Sequence, residues 1–77
     1  MVLLLAGCTA VDGRVYRVQW FKSGSCFVYV KGTADGVTHY KAIRKGKNTT
    51  KAECYRRNEI GDRIRFTVDD ETYRQDQ

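Results

Sequence analysis

The chain has 77 residues, with 14 Lys and Arg against 9 Asp and Glu, and therefore a formal net charge of +5. This length excludes a kinase or a TIM barrel, three cysteines are too few for a disulfide-dense scaffold, and 42% hydrophobic residues exclude a disordered chain. No apolar run reaches the roughly 20 residues that a transmembrane helix needs. Length and composition together predict one small folded domain.

The N-terminal segment carries the most specific motif. Residues 1–8 read Met-Val-Leu-Leu-Leu-Ala-Gly-Cys, and residues 5–8 have the form of a lipobox: an aliphatic residue, two small residues and a cysteine. The segment resembles bacterial lipoprotein precursors, in which the cysteine thiol is acylated before a peptidase cuts in front of it. The resemblance implies that residues 1–7 are the remnant of a signal peptide. It also implies that Cys8 receives a covalent diacylglycerol and an N-acyl chain, with no other cofactor.

The motif implies that the protein is located at the periplasmic face of the outer membrane. In enteric bacteria an aspartate after the lipidated cysteine retains a lipoprotein in the inner membrane, whereas Thr9 occupies that position here. Residues 8–13 are expected to form a lipidated tether in front of a domain at 14–77. The segment has neither the basic n-region nor the full apolar core of a signal peptide. Two alternatives therefore stay open: Cys8 lies buried in a short first strand, or the start codon lies further upstream.

The two remaining cysteines, Cys26 and Cys54, are expected to form one disulfide in an exported domain. The alternative is a pair of buried free thiols in a cytosolic domain. The sequence has no Cys-x-x-Cys motif, so it offers neither a zinc knuckle nor a thioredoxin-like site.

The body of the chain predicts short strands. Tyr16, Val18 and Trp20 alternate with polar residues and are expected on one face of the first strand. The Asp35-Gly36 pair predicts a tight turn between the second and third strands. Four strands are predicted at residues 14–21, 26–31, 37–44 and 63–68, with period-two alternation in the first and the last.

Two further segments are less regular. At 49–58, Thr50 and Glu53 have the spacing of a capping box, which favours a short helix. A strand is preferred there because isolated helices of this length are marginal. The polar tail at 69–77 is expected to fray. The predicted fold is all-β: a small antiparallel barrel or sandwich of four or five short strands with one disulfide.

No enzyme is predicted. His39 is the only histidine, and no serine lies in a nucleophile elbow beside it. The carboxylates at 69–71 lie at the start of the polar tail and lack the ligand spacing of a calcium loop. No catalytic and no metal-binding residue is assigned.

A run of basic residues is the main candidate for a binding surface. Its possible roles are a solvated face, adhesion to anionic headgroups of the inner leaflet, or contact with an acidic protein. A nucleic-acid interface is a further possibility, supported by Trp20, Phe27, Tyr29 and Tyr40 on the predicted strands, but nucleic acid is excluded if Cys8 is lipidated. The basic residues are Lys41, Arg44, Lys45, Lys47, Lys51, Arg56 and Arg57.

With its lipobox, short length and compact basic body, the chain resembles the Cor-type superinfection-exclusion lipoproteins of phages and prophages. The resemblance implies a lipid-anchored binding module that blocks an outer-membrane receptor, typically the ferrichrome transporter, from the periplasmic side. A monomer is expected. Other candidates are a lysozyme-inhibitor lipoprotein, a structural envelope lipoprotein and a cytosolic basic β-barrel that binds nucleic acid. The net charge of +5 opposes the first of these, because many lysozymes are themselves strongly basic.

Overall fold

The computed structural model describes residues 9–68 and, for the backbone alone, residues 72–75. The described chain forms one curled antiparallel sheet with strand order β4-β1-β2-β3-β5. The sheet is an open half-barrel and not a two-sheet sandwich, and the predicted all-β class with one disulfide is confirmed. The elements are β1 (Ala10–Trp20), β2 (Cys26–Ala34), β3 (Val37–Gly46), α1 (Lys51–Arg57), β4 (Arg63–Thr67) and β5 (Thr72–Gln75).

Tight turns join the first three strands into a meander. The predicted Asp35-Gly36 turn between β2 and β3 is confirmed, and both residues have positive φ, at 54° and 77°. That conformation matches the right-handed twist of the flanking strands. Between β1 and β2, Gly24 adopts a φ of 97° and donates its N–H to Phe21 O over 2.8 Å. Short connections therefore keep sequential strands adjacent.

One face of the sheet, the inner face, forms the hydrophobic core. Val11, Val15, Val28, Val30 and Phe66 are buried there, each at most 5% exposed. Lys41 Nζ, on β3, donates to the carbonyl oxygen of Thr67, at the end of β4, over 3.4 Å. Because β1 and β2 separate these two strands in the sheet, the contact shows how strongly the sheet curls around its core.

Strand β1 begins at Ala10, which corrects the prediction of a tether over 8–13. Residues 10–13 pair with β4, and Val11 lies opposite Phe66 in the core. The smallest residue of the segment that suggested a tether is required by packing: a Cβ added at Gly13 would lie 2.7 Å from the Phe66 ring. Thr9 also belongs to this edge, since its carbonyl accepts from the N–H of Val68 over 2.9 Å.

The strand preferred for 49–58 is wrong, because residues 51–57 form helix α1. The capping box is complete: Glu53 N–H donates to Thr50 Oγ1 over 3.1 Å, and Thr50 N–H donates to Glu53 Oε1 over 3.2 Å. Tertiary contacts hold a helix that would be marginal alone. Trp20 Nε1 donates to Thr49 O over 2.9 Å, and Cys54 is bonded to Cys26.

The tail prediction is also wrong for residues 72–75, which form β5. This strand pairs with residues 38–41 of β3. An uncovered edge of β3 would present unpaired N–H and C=O groups, and β5 satisfies them. The remaining residues of the predicted fraying tail, 69–71 and 76–77, lie outside the described residues.

Candidate partner-binding face

The second face of the sheet, which we call the outer face, turns away from the core. Strand register fixes its rows: Arg17 lies opposite Tyr29, and Phe27 lies between Gln19 and Arg44. On β1–β4 this register and the alternation along each strand assign to it Asp12, Arg14, Tyr16, Arg17, Gln19, Phe27, Tyr29, Lys31, Thr33, Thr38, Tyr40, Ala42, Arg44, Arg63, Arg65 and Thr67.

A β-bulge places Tyr16 on this face. The β1–β2 register shifts between Val15 and Arg17, so Val15 and Val18 both point into the core although they are three residues apart. The alternation predicted Tyr16 on the same face as Val18, and that prediction is wrong. An extra residue reverses the side on which the preceding residues emerge.

Aromatic rings form a strip of two clusters along the outer face. The Tyr16 ring lies 6.4 Å from that of Tyr29 and 6.0 Å from that of Tyr40, the second pair meeting edge to face. At the β1–β2 turn, Phe21 packs edge to face on Phe27 at 5.6 Å. Tyr16 is 40% exposed and Phe21 is 38% exposed. Large rings that remain this accessible are the residues that most often anchor an interface.

Cationic groups lie over three of these rings. The Arg17 guanidinium is 5.4 Å from the Tyr29 ring centre, and the Arg44 guanidinium is 5.4 Å from that of Phe27. Lys31 Nζ lies 5.5 Å from the ring of Tyr16. Each contact is worth about 0.5–1 kcal/mol at an exposed site. The charges are therefore held in defined positions, which lowers the entropy lost when a partner binds.

The outer face is strongly positive. On β1–β4 it carries six basic side chains and one acidic side chain, Asp12. Asp12 is engaged by Arg65 over 3.8 Å between Oδ1 and Nε. The other five cations, which have no carboxylate within salt-bridge distance among the described residues, are Arg14, Arg17, Lys31, Arg44 and Arg63.

The structure distributes the basic residues singled out from the sequence over several surfaces. Arg44 is on the outer face, whereas Lys41 is half-buried on the inner face and bonded to Thr67. Lys45 is the exposed bulge residue of β3, between residues paired with Phe27 and Cys26. The others lie in the following turn or on α1: Lys47, Lys51, Arg56 and Arg57.

Sequence reasoning missed most of the outer face. Arg14, Arg17 and Lys31 are separated in the sequence, and strand pairing is what brings them together. The available signal was the alternation of basic with apolar residues in β4, which puts Arg63 and Arg65 on one side.

The predicted disulfide is confirmed. Cys26 and Cys54 are bonded, with their Cα atoms 5.6 Å apart, and each residue is 1% exposed. The bond connects the first residue of β2 to the buried side of α1. Cys8 lies outside the described residues.

The end of the molecule that holds α1 lies far from the start of β1. Thr9, the first described residue, is next to the β2–β3 turn end of the sheet, whereas Trp20 contacts the segment before α1. The 11 residues of β1 separate these ends by about 30 Å at a rise of about 3.3 Å per residue.

One carboxyl near this far end is perturbed. The Thr50 N–H, with a smaller contribution from Arg57 and Arg56, holds the pKa of Glu53 below its ordinary value of 4.5. Glu53 also forms an i,i+4 ion pair with Arg57, at 3.7 Å. These interactions stabilise the first turn of α1 and leave Glu53 negatively charged at neutral pH.

The described part of the chain contains no group of three His, Cys, Asp or Glu side chains placed to hold a metal ion. Among residues 9–68 and 72–75, no helix has both the length and the apolar character that crossing a bilayer requires. Comparison with protein-family models, curated proteins and solved structures finds no match to this chain.

Proposed function

We propose that this protein is an envelope-anchored binding module whose outer face engages an acidic surface of an outer-membrane protein. The observation that carries the proposal is the outer face itself, where exposed aromatic rings alternate with unneutralised cations. Aromatic residues and Arg supply most of the energy at protein interfaces. Positive potential also accelerates encounter with a negatively charged partner.

The proposed location in the cell envelope rests on residues 5–8 and is supported by the disulfide. The Cys26–Cys54 bond is typical of proteins that fold in an oxidising compartment. A cytosolic domain would keep both thiols reduced. The lipobox adds a membrane anchor at Cys8, which the three acyl chains of a mature bacterial lipoprotein make effectively permanent.

The early start of β1 determines which end of the sheet lies near the anchor in this proposal. Only Thr9 separates Cys8 from the strand that begins at Ala10, so an acylated Cys8 holds the β2–β3 turn end of the sheet close to the bilayer. Helix α1 then lies about 30 Å away, beyond the reach of headgroups. The basic residues on and before α1, at the end of the sheet far from the anchor, are thus poor candidates for lipid adhesion.

The finer form of the proposal follows the resemblance to superinfection-exclusion lipoproteins. In that form the partner is a phage receptor, such as the ferrichrome transporter, contacted from the periplasmic side. A basic, aromatic binding surface held near the inner leaflet suits such a partner.

The anchor is tested by growing cells that express the natural gene with labelled palmitate. The wild type should incorporate label and Cys8→Ser should not. Recovery of the wild type with a bare Cys8 thiol and residues 1–7 still attached contradicts the anchor.

The binding face is tested by plating a panel of phages with different receptors on cells expressing charge-reversal variants. Arg17→Glu/Arg44→Glu should abolish protection against phages that share one receptor. Lys47→Glu/Lys51→Glu, the same change of charge off the outer face, should preserve it. If both double variants lose protection equally, with acylation and protein level unchanged, the assignment of the outer face is refuted. If the wild type gives no protection, the exclusion function is refuted.

The cations lying on aromatic rings of a β-sheet also favour a second candidate, binding of single-stranded nucleic acid. It requires an unlipidated protein in the cytosol. Fluorescence anisotropy with labelled oligonucleotides should then show tight binding that falls steeply with salt. Acylation of Cys8 in cells eliminates this candidate.

A further inference from the structure

Three cations lie side by side in one row of the outer face. Arg14 on β1 is paired directly with Arg63 on β4 and with Lys31 on β2. Neighbouring strands are about 4.8 Å apart, so these three side chains emerge within about 10 Å of one another. We call them the cation row.

Within residues 9–68 the cation row has no acidic partner. The ion pairs among the described residues join Arg65 to Asp12 and Arg57 to Glu53, and neither includes a member of the row. Like charges placed directly opposite in an antiparallel pair destabilise the sheet. Two such pairs side by side lower the stability of the unliganded protein, and a bound anion would remove the repulsion.

The row is partly held in place by other contacts. Arg14 Nη1 donates to the carbonyl oxygen of Gly61 over 3.1 Å, and Lys31 Nζ lies 5.5 Å from the ring centre of Tyr16. Neither contact neutralises a charge. The guanidinium keeps most of its N–H donors available for an anion, because an arginine carries five.

A cleft of about 350 Å³ lies beside the row. Its walls include Arg14 and Lys31 together with the hydroxyl-bearing side chains of Thr33, Thr38 and Tyr40. The Oγ1 atoms of Thr33 and Thr38 are 3.4 Å apart, which makes a small polar cluster next to the cations. The described lining combines positive charge with hydroxyl groups and includes no carboxylate.

We propose that the cation row and this cleft bind a ligand that carries two linked or neighbouring phosphate groups. A phosphate offers several oxygen acceptors to guanidinium, ammonium and hydroxyl donors at once. Its charge of about −1.5 to −2 neutralises at most two cations, so three adjacent cations match a diphosphate better than a single phosphate or a carboxylate. The ligand is either a soluble diphosphate or the headgroup of a diphosphorylated lipid.

Binding is tested on the oxidised full chain carrying Cys8→Ser, which removes acylation and makes this test independent of the proposed function. Inorganic pyrophosphate should raise the thermal midpoint, and calorimetry should give a saturable isotherm. Arg14→Gln and Lys31→Gln should each weaken binding about tenfold or more. Arg56→Gln, which removes the same charge from α1, should bind as the wild type does.

The unliganded variants supply a second measurement. In low salt without polyvalent anions, Arg63→Gln, which removes a charge of the row and none of the contacts described above, should unfold at a higher temperature than the wild type because the repulsion with Arg14 is gone. An unchanged or lower midpoint contradicts the argument from like charges. A pyrophosphate effect that sodium chloride reproduces at equal ionic strength, or that Arg14→Gln retains, overturns the site.

A parallel arm distinguishes the two ligand sources. Phosphatidylcholine vesicles with and without diphosphorylated lipid A are sedimented with the same protein. Binding to the doped vesicles that Arg14→Gln abolishes identifies a lipid headgroup, whereas binding of pyrophosphate alone identifies a soluble diphosphate. Binding in neither arm refutes the proposal.

Discussion

Removal of the Cys26–Cys54 bond should be the most damaging conservative change to this fold. The bond closes a loop with a sequence separation of 28, for which the chain-entropy relation gives about 3.6 kcal/mol of unfolding free energy. A domain of this size gains little more than about 3–5 kcal/mol from its core alone. At about 4–8 °C per kcal/mol, the variant Cys26→Ala/Cys54→Ala should unfold roughly 15–30 °C below the wild type.

The same bond holds α1 on the sheet, so its loss should be visible locally as well. Trp20 is the single tryptophan, and its Nε1 is bonded to Thr49 O at 2.9 Å, just before the helix. Urea titrations followed by Trp20 fluorescence and by far-ultraviolet circular dichroism therefore report the α1 end and the whole sheet separately. Both proteins should carry Cys8→Ser, which prevents exchange with a third thiol.

The reasoning is refuted if the double variant loses less than about 1 kcal/mol, a third of the value from loop closure. Its m-value should also rise, because an uncrosslinked denatured chain exposes more surface. A normal free energy of unfolding with an altered Trp20 spectrum would show that the bond positions α1 without stabilising the sheet.

Three further predictions concern single residues. The pKa of Glu53 is lowered chiefly by the Thr50 N–H. The Glu53 carboxylate therefore contributes fully to the free energy of unfolding above pH 4.5, and this contribution is lost as the pH falls through the lowered pKa. Glu53→Gln should flatten the acid side of a profile of stability against pH. Gly32→Ala should cost about 1–3 kcal/mol in chemical denaturation, because the new Cβ would lie 2.5 Å from the carbonyl oxygen of Asp12. His39 is 8% exposed and its Nδ1 has no hydrogen-bond partner among the described residues. His39→Leu should therefore raise the thermal midpoint by an amount equivalent to about 1 kcal/mol. A loss of stability in this variant would contradict the argument from the unpaired nitrogen.

Local sequence pattern was sufficient for the elements that depend on local chemistry. Strand β2 begins with a run of β-branched and aromatic residues, which favours a strand whatever its partner. The Asp35-Gly36 turn follows from the backbone conformations that these two residues tolerate. The disulfide followed from cysteine number and from the expected compartment. Each of these predictions required only a short window or a count.

Long-range packing decided the elements that sequence reasoning missed. The first residues of β1 are small and looked like a tether, but they pair with β4 more than 50 residues away. Gly13 is small because the Phe66 ring occupies the space of a side chain. Helix α1 had a correct local signal in its capping box, and the contacts of Trp20 and Cys54 made that signal decisive.

The outer face could not be assembled from the sequence because two structural choices decide its composition. Strand order decides that Arg63, Arg14 and Lys31 form one row; with another order the same residues would be scattered, solvated charges. The bulge decides that Tyr16 joins them, since an unbroken β1 would send this ring into the core beside Val18. Bulges of this kind are built features that redirect a side chain. Here the bulge places a ring between Tyr29 and Tyr40 and under the Lys31 ammonium, which joins the aromatic strip to the cation row.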